Sequence, residues 1–303
     1  ENIARVLDYS KRQLAGRKDA TRRSLTLLGT TDGKTYYTDP EGNAWRAYLF
    51  IERARTYDIL ESAKFAYEAA KAFGSFQRLL AGLPGERLHE VIPNFHNTPS
   101  RLADFDKALA EDKLGRAAEA KAEIEFVQSH RDMASVFVDL LAKGEIPERV
   151  THNDTKINNV MLDDETGEGV CVIDLDTIMP GVSLYDFGDL VRTSVSPASE
   201  DERDLSKVQV RMEMFEALAK GFIEGSGDCL TPKEIELMPF SGELITFEIG
   251  IRFLTDYLQG DTYFKTHRPG HNLDRCRTQF TLMQRLMDCE GEMKKVVAAV
   301  TKK

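Results

Sequence analysis

The chain has 303 residues, 42% of them hydrophobic and 30% charged, a composition that supports a substantial core and excludes disordered and collagen-like chains. Forty Lys plus Arg against fifty Asp plus Glu give a formal charge of −10 with no basic block, so no nucleic-acid partner is expected. No window approaches the roughly 18 consecutive apolar residues of a membrane-spanning helix, and the start of the chain is charged rather than signal-like, so a soluble, cytoplasmic protein with no membrane partner is expected.

The opening at Glu1 already has Ile3, Val6 and Leu7 at helical spacing, which predicts that further sequence precedes it. Residues 24–28, 35–38 and 45–51 are β-prone runs separated by Asp32-Gly33 and Glu41-Gly42 turn signals, predicting a small antiparallel sheet. From Leu60 the pattern turns helical, with Phe65, Ala69, Phe73, Phe76 and Leu80 in register until Gly82 and Pro84. That change predicts a boundary near Tyr57-Asp58, dividing the chain into a small lobe, 1–58, and a larger one, 59–303. Ile124, Val127, Ala134, Phe137 and Leu141 predict one long amphipathic helix over 117–142. Short extended runs follow at 149–152, 159–162 and 170–173, the last two joined by the turn-rich segment 163–167. The remainder reads as helical: Thr231-Pro232-Lys233-Glu234 is a capping-box start, and Asn272 is expected to cap a final helix carrying Phe280, Met283 and Leu286. Cys171, Cys229, Cys276 and Cys289 form no C-x-x-C pair and read as reduced thiols.

Polar groups crowd the ends of the central strands, in Thr151-His152-Asn153-Asp154-Thr155-Lys156-Ile157-Asn158-Asn159 and Val172-Ile173-Asp174-Leu175-Asp176-Thr177. Phosphoryl transfer needs a carboxylate at the acceptor hydroxyl, an amide and a carboxylate on Mg²⁺, and a cation to offset phosphate charge. Asp154 and Asn159 have the spacing of the kinase catalytic loop, H-x-D-x-x-x-x-N, with Lys156 between them and Asp174 at the end of the next strand. Alone, an H-x-D string is more often a capped turn; the second acidic strand end shifts the balance towards a site. Asp186-Phe187-Gly188 spells the metal-binding D-F-G of protein kinases but lies beyond the Pro180-Gly181 turn, so the metal role is assigned to Asp174. Asp186 and Asp189 are expected at a helix start, accepting backbone N–H bonds. A metallohydrolase built on His152, Asp154, Asp174 and Asp176 is the chemical rival, and it lacks a histidine cluster, since His267 and His271 flank Arg268-Pro269-Gly270 and read as loop residues.

With these residues the chain resembles the aminoglycoside phosphotransferase and choline kinase superfamily, and within it the N-acetylhexosamine 1-kinases. The resemblance runs from Glu1-Asn2-Ile3 through Leu49-Phe50-Ile51-Glu52, the block 151–181, Leu184-Tyr185-Asp186-Phe187-Gly188-Asp189, and Arg252-Phe253-Leu254-Thr255-Asp256-Tyr257 to Tyr263-Phe264. It implies an α+β, bilobal, protein-kinase-like fold and ATP-dependent phosphorylation of the anomeric hydroxyl of N-acetylglucosamine or N-acetylgalactosamine. By the same resemblance Asp154 is the general base and Asn159 and Asp174 bind Mg²⁺, with Asp176 a weaker metal candidate, while Lys156 is the catalytic cation read from the loop itself. Arg252 and Tyr263, with Asp154, contact the sugar, and the backbone of Ile51, Glu52 and Arg53 receives adenine. Without the resemblance, Arg252 reads equally well as an ion-paired arginine and Tyr263 as a half-buried aromatic. The family's phosphate-covering loop and strand lysine have no match in this sequence, which contains no G-x-G-x-x-G. About fifty residues of a kinase small lobe are therefore expected upstream, and weak MgATP binding with poor turnover is expected of the chain as it stands. A choline- or aminoglycoside-type kinase and a non-catalytic pseudokinase are the alternatives.

Overall fold

The computed structural model describes residues 1–59 and 62–302, so the residue Leu60, where the helical pattern begins, lies outside the described residues. Helices α1 (Asn2–Gln13) and α2 (Ala20–Arg23) lead into strands β1 (Leu27–Leu28), β2 (Tyr37–Thr38), β3 (Ala44–Trp45) and β4 (Ala47–Tyr48). The expected single small sheet is instead two antiparallel two-residue ladders, β1 with β4 and β2 with β3. Side-chain bonds hold the β2–β3 turn: Asp39 accepts from the Asn43 backbone N–H at 2.7 Å and from Trp45 Nε1 at 2.8 Å. Most side chains here are exposed, so there is little core for longer strands to cover.

Strand β5 (Ala54–Arg55) leaves this region and joins β7 (Val160–Asp163) and β8 (Gly169–Val172) in an antiparallel sheet of order β5-β7-β8. Between β5 and β7 come α3 (Ala63–Leu80), α4 (Thr98–Glu111), α5 (Lys121–Ser129), α6 (Val136–Ala142) and strand β6 (Arg149–Thr151). Ser62 and Asn97 cap α3 and α4 by accepting from Phe65 N–H and Ser100 N–H. Strand β9 (Met179–Gly181) pairs with β6, and α7 (Ser183–Ser194), α8 (Met212–Ser226), α9 (Pro232–Gln259) and α10 (His271–Thr301) complete the helical part.

One large core unites these helices, with Phe73, Phe187, Phe215, Phe222, Phe247 and Leu286 all fully buried. It also takes in Val6 and Leu7 of α1, while Asn2 donates to the carbonyls of His89 and Ile178. Glycines bring α3 and α8 into backbone contact: a Cβ on Gly221 or Gly225 would strike the carbonyls of Tyr67 or Lys71. The capping box forms at the start of α9, where Glu234 also accepts from Arg149 Nε at 2.8 Å and thereby ties α9 to the strand that feeds the central loop.

Two expectations are corrected. The long helix over 117–142 is broken after α5, because Ser129 Oγ and the His130 ring both bond the Phe126 carbonyl, and the His130 N–H turns to Val127. Asn272 is not the cap of α10, which starts one residue earlier, after a left-handed Gly270. Its amide instead donates to Asp256 at 2.8 Å and Asp261 at 2.9 Å, so a residue read as a cap holds a loop to a neighbouring helix. His271, read as a loop residue, is buried in the first turn of α10.

Candidate active site

The site grows from the end of β6. His152 is fully buried, its Nε2 donating to the Ile173 carbonyl at 2.8 Å and its Nδ1 accepting from the Asp154 N–H at 3.2 Å. These two bonds select the tautomer and leave no ring nitrogen for a metal, which argues against the metallohydrolase reading. Asn153 takes a left-handed φ of 66°, and its amide donates to the carbonyls of Thr151 at 3.1 Å and Thr177 at 3.0 Å. Asp186, in the first turn of α7, accepts the backbone N–H groups of His152 at 3.0 Å and Asn153 at 2.7 Å and the Gln77 amide at 2.6 Å. Burial raises its pKa, with His152 and the donated N–H bonds opposing. Both carboxylate oxygens face donors inside the protein, so the D-F-G aspartate braces the loop. Asp189, expected to act similarly, pairs with Arg192 Nε at 2.8 Å.

Asp154 follows this clamp. Asn159 Nδ2 donates to its carbonyl at 2.8 Å and to its carboxylate at 3.0 Å, and Lys156 Nζ meets the same carboxylate at 3.0 Å. Burial lowers the pKa of the Lys156 ammonium, but Asp154, Asp174 and Asp189 outweigh it and hold the group above its ordinary value. Asp174 stands at the end of β8 with φ 59°, ψ 59°, a left-handed conformation rare outside glycine. Asp176 is turned to Arg46, with which it forms an ion pair. The structure thus brings Asp154, Lys156 and Asn159 into contact and sets the charge of Asp174 against Lys156.

Arg252 lies further along α9, its guanidinium 5.1, 5.8 and 5.5 Å from the ring centres of Phe95, Tyr263 and Phe264. Burial lowers its pKa and Glu248, one turn earlier, opposes this. Tyr263 is 67% exposed, more than a half-buried aromatic, and its N–H is bonded to Asp256 at 2.8 Å. Asp256 also accepts from the N–H groups of Thr262 and Phe264 and from Asn272, so one buried carboxylate shapes the loop that carries Tyr263. Ile51 is buried against Val170 and Cys171, and its peptide makes no backbone hydrogen bond among the described residues. The carbonyls of Glu52 and Arg53 accept from Arg22 at 3.1 and 3.0 Å, and Arg53 has φ 56°.

Residues 11–215 match the model of the phosphotransferase enzyme family, more than half of the chain. The chain belongs to this family. Solved structures agree in fold: an aminoglycoside phosphotransferase from Alicyclobacillus acidocaldarius superimposes with a TM-score of 0.60 at 11% identity, over 98% of this chain and 84% of that one. A microcompartment-associated aminopropanol kinase gives 0.53 at 16% identity, over 96% and 82% of the two chains. An ethanolamine kinase from Plasmodium vivax gives 0.52 at 15%, over 90% and 70%.

Three residues of this phosphotransferase's site region went unnoticed in the sequence, Phe95, His96 and Glu248, and Asp256 stood in the resembling segment without a role. Glu248 has a signal, since it precedes Arg252 by one helical turn. His96 has none, because its partners Asn153 and Glu248 stand 57 and 152 residues away.

Proposed function

We propose that this small-molecule phosphotransferase is an ATP-dependent kinase that phosphorylates the anomeric hydroxyl of N-acetylglucosamine or N-acetylgalactosamine. In this reading 1–58 contributes part of the nucleotide lobe and hinge, and 59–303 the lobe with the catalytic loop and sugar site. The observation that carries it is the contact of Asp154 with both Lys156 and Asn159, on a loop braced from below by Asp186. Asp154 accepts the proton of the attacking hydroxyl, and Lys156 offsets the negative charge gathered there. The donor set suits Mg²⁺, a hard cation that takes oxygen ligands: Asp174 offers a carboxylate, and Asn159, its Nδ2 committed to Asp154, offers Oδ1. The Ile51 peptide would receive the adenine between Glu52 and the buried strand residues. Bound MgATP supplies the phosphoryl group; positioning and charge compensation fall to the chain.

The aromatic cluster favours a neutral sugar over an amino alcohol. A substrate ammonium would need open aromatic faces or carboxylates, yet the rings of Phe95, Tyr263 and Phe264 are already taken by a guanidinium whose charge repels a second cation. Arg252 and Tyr263 offer hydrogen bonds to hydroxyl and amide groups instead. The test is phosphorus NMR of products formed from MgATP with a panel of free N-acetylhexosamines, choline, ethanolamine and an aminoglycoside. A sugar 1-phosphate signal with the N-acetylhexosamines alone is expected; phosphorylation of the amino alcohols in preference would overturn the assignment.

A further inference from the structure

His96, in the loop before α4, is buried and has acceptors at both ring nitrogens: Glu248 Oε1 lies 2.8 Å from Nδ1, and the Asn153 carbonyl 3.0 Å from Nε2. A carbonyl can only accept, so Nε2 carries a proton. The other Glu248 oxygen accepts from Thr98 Oγ1 at 2.6 Å, and Arg252 one turn along α9 favours the ionised carboxylate, which leaves the second proton on Nδ1. With Glu248 ionised, both ring nitrogens of His96 face acceptors, the arrangement of an imidazolium.

The carbonyl it holds belongs to the peptide joining Asn153 to Asp154. The opposite edge of that peptide, the Asp154 N–H, donates to His152 Nδ1. Two histidines thus grip one peptide plane, and the direction of the Asp154 side chain depends on how that plane is turned. We propose that His96 is a positioning residue for Asp154, its imidazolium linking α9, where Arg252 stands, to the peptide that precedes the base. This rests on the phosphotransferase reading of Asp154. The charged and titratable groups facing His96 are Glu248 on α9 and Asp189 and Tyr185 on α7; Arg252 acts on Glu248 and Arg101 on Arg252, one step further away. Burial lowers the His96 pKa, but Glu248 outweighs it and the net shift is upward.

The test uses His96→Gln and Glu248→Gln with nitrogen-15 histidine NMR and steady-state kinetics. In the wild type both His96 ring nitrogens should be protonated at neutral pH, and in Glu248→Gln the ring should become neutral; a neutral wild-type ring would overturn the proposal. His96→Gln should lower kcat by about tenfold to a hundredfold while acceptor KM stays within about twofold. An unchanged kcat in the folded variant would also overturn it. Should His96→Gln fail to fold, Glu248→Gln decides: its kcat relative to wild type should rise as pH falls and His96 regains its proton, whereas a constant ratio means a merely structural contact. If the wild type phosphorylates no acceptor, the function above fails, and the NMR measurement still decides the charge on His96.

Discussion

Asp154 and Asp186 are both carboxylates at the same loop, yet their surroundings give them opposite work. Asp154 has partners near solvent, which in the proposed reaction would exchange with substrate: an ammonium 41% exposed and the Asn159 amide, which also holds the Asp154 carbonyl. Asp154→Asn keeps size and most hydrogen bonding but cannot accept a proton, so turnover should fall about a hundredfold or more, with the thermal midpoint of the folded protein unchanged. A loss of only a few fold would remove Asp154 as the base. Asp186 has no exposed surface and accepts three N–H groups. Asp186→Ala orphans all three donors and should cost on the order of 3 kcal/mol or more in chemical denaturation. Its activity per folded molecule should fall less than that of Asp154→Asn, and the reverse order would give the D-F-G aspartate a direct part in the chemistry.

At the scale of elements, the packing of α9 against α10 contains a pH-dependent defect. Glu243 on α9 is buried, its Oε1 has no hydrogen-bond partner, and its pKa is pushed up to about 8, by burial first and then by Glu290, with Lys294 opposing. In the unfolded chain it titrates near the usual carboxylate value, about 4.3. The folded state thus holds the proton more tightly, and stability falls as pH rises from about 4.3 through about 8. Glu243→Gln should remove that slope. Its midpoint should match the wild type in mild acid and exceed it above pH 8, by on the order of a few kcal/mol in free energy. Parallel pH curves for the two proteins would show that Glu243 ionises freely in the fold.

Over the whole molecule, residues 22–55 and the ends of β7 and β8 meet through ion pairs: Arg22 with Asp163 at 2.9 Å, Arg55 with Asp164 at 2.6 Å, and Arg46 with Asp176. A nucleotide bound between Ile51–Arg53 and the Asp174 end of β8 would draw on both regions and so stabilise them together. MgATP at about a hundredfold its Kd should add about 2.7 kcal/mol of stability, and chelation of the metal should remove most of that gain. Differential scanning fluorimetry with ATP, MgATP and MgATP plus chelator reads this directly; equal midpoints in all three would mean that the proposed nucleotide site does not bind.

Local chemistry was legible wherever the interacting residues are close in the sequence. The Asp154, Lys156 and Asn159 contacts span a six-residue loop, the capping box of α9 spans four residues, and the periodicity of α3 needs no partner to be read. The break after α5 was hidden because a hydrophobic repeat carries no record of which side chain captures the Phe126 carbonyl. Asn272 has the residue type of a cap, and only the packing of α10 beside Asp256 and Asp261 turns it to another use. The bracing of the 152–154 loop by Asp186, the His96 grip on the Asn153 carbonyl and the aromatic cluster around Arg252 join residues far apart in the chain. Sequence determined which chemical groups stand at the loop, since their spacing is covalent. The direction of the loop was decided by the tertiary structure, because its backbone is held by buried hydrogen bonds to residues distant in the chain, Asp186 on α7 and His96 before α4.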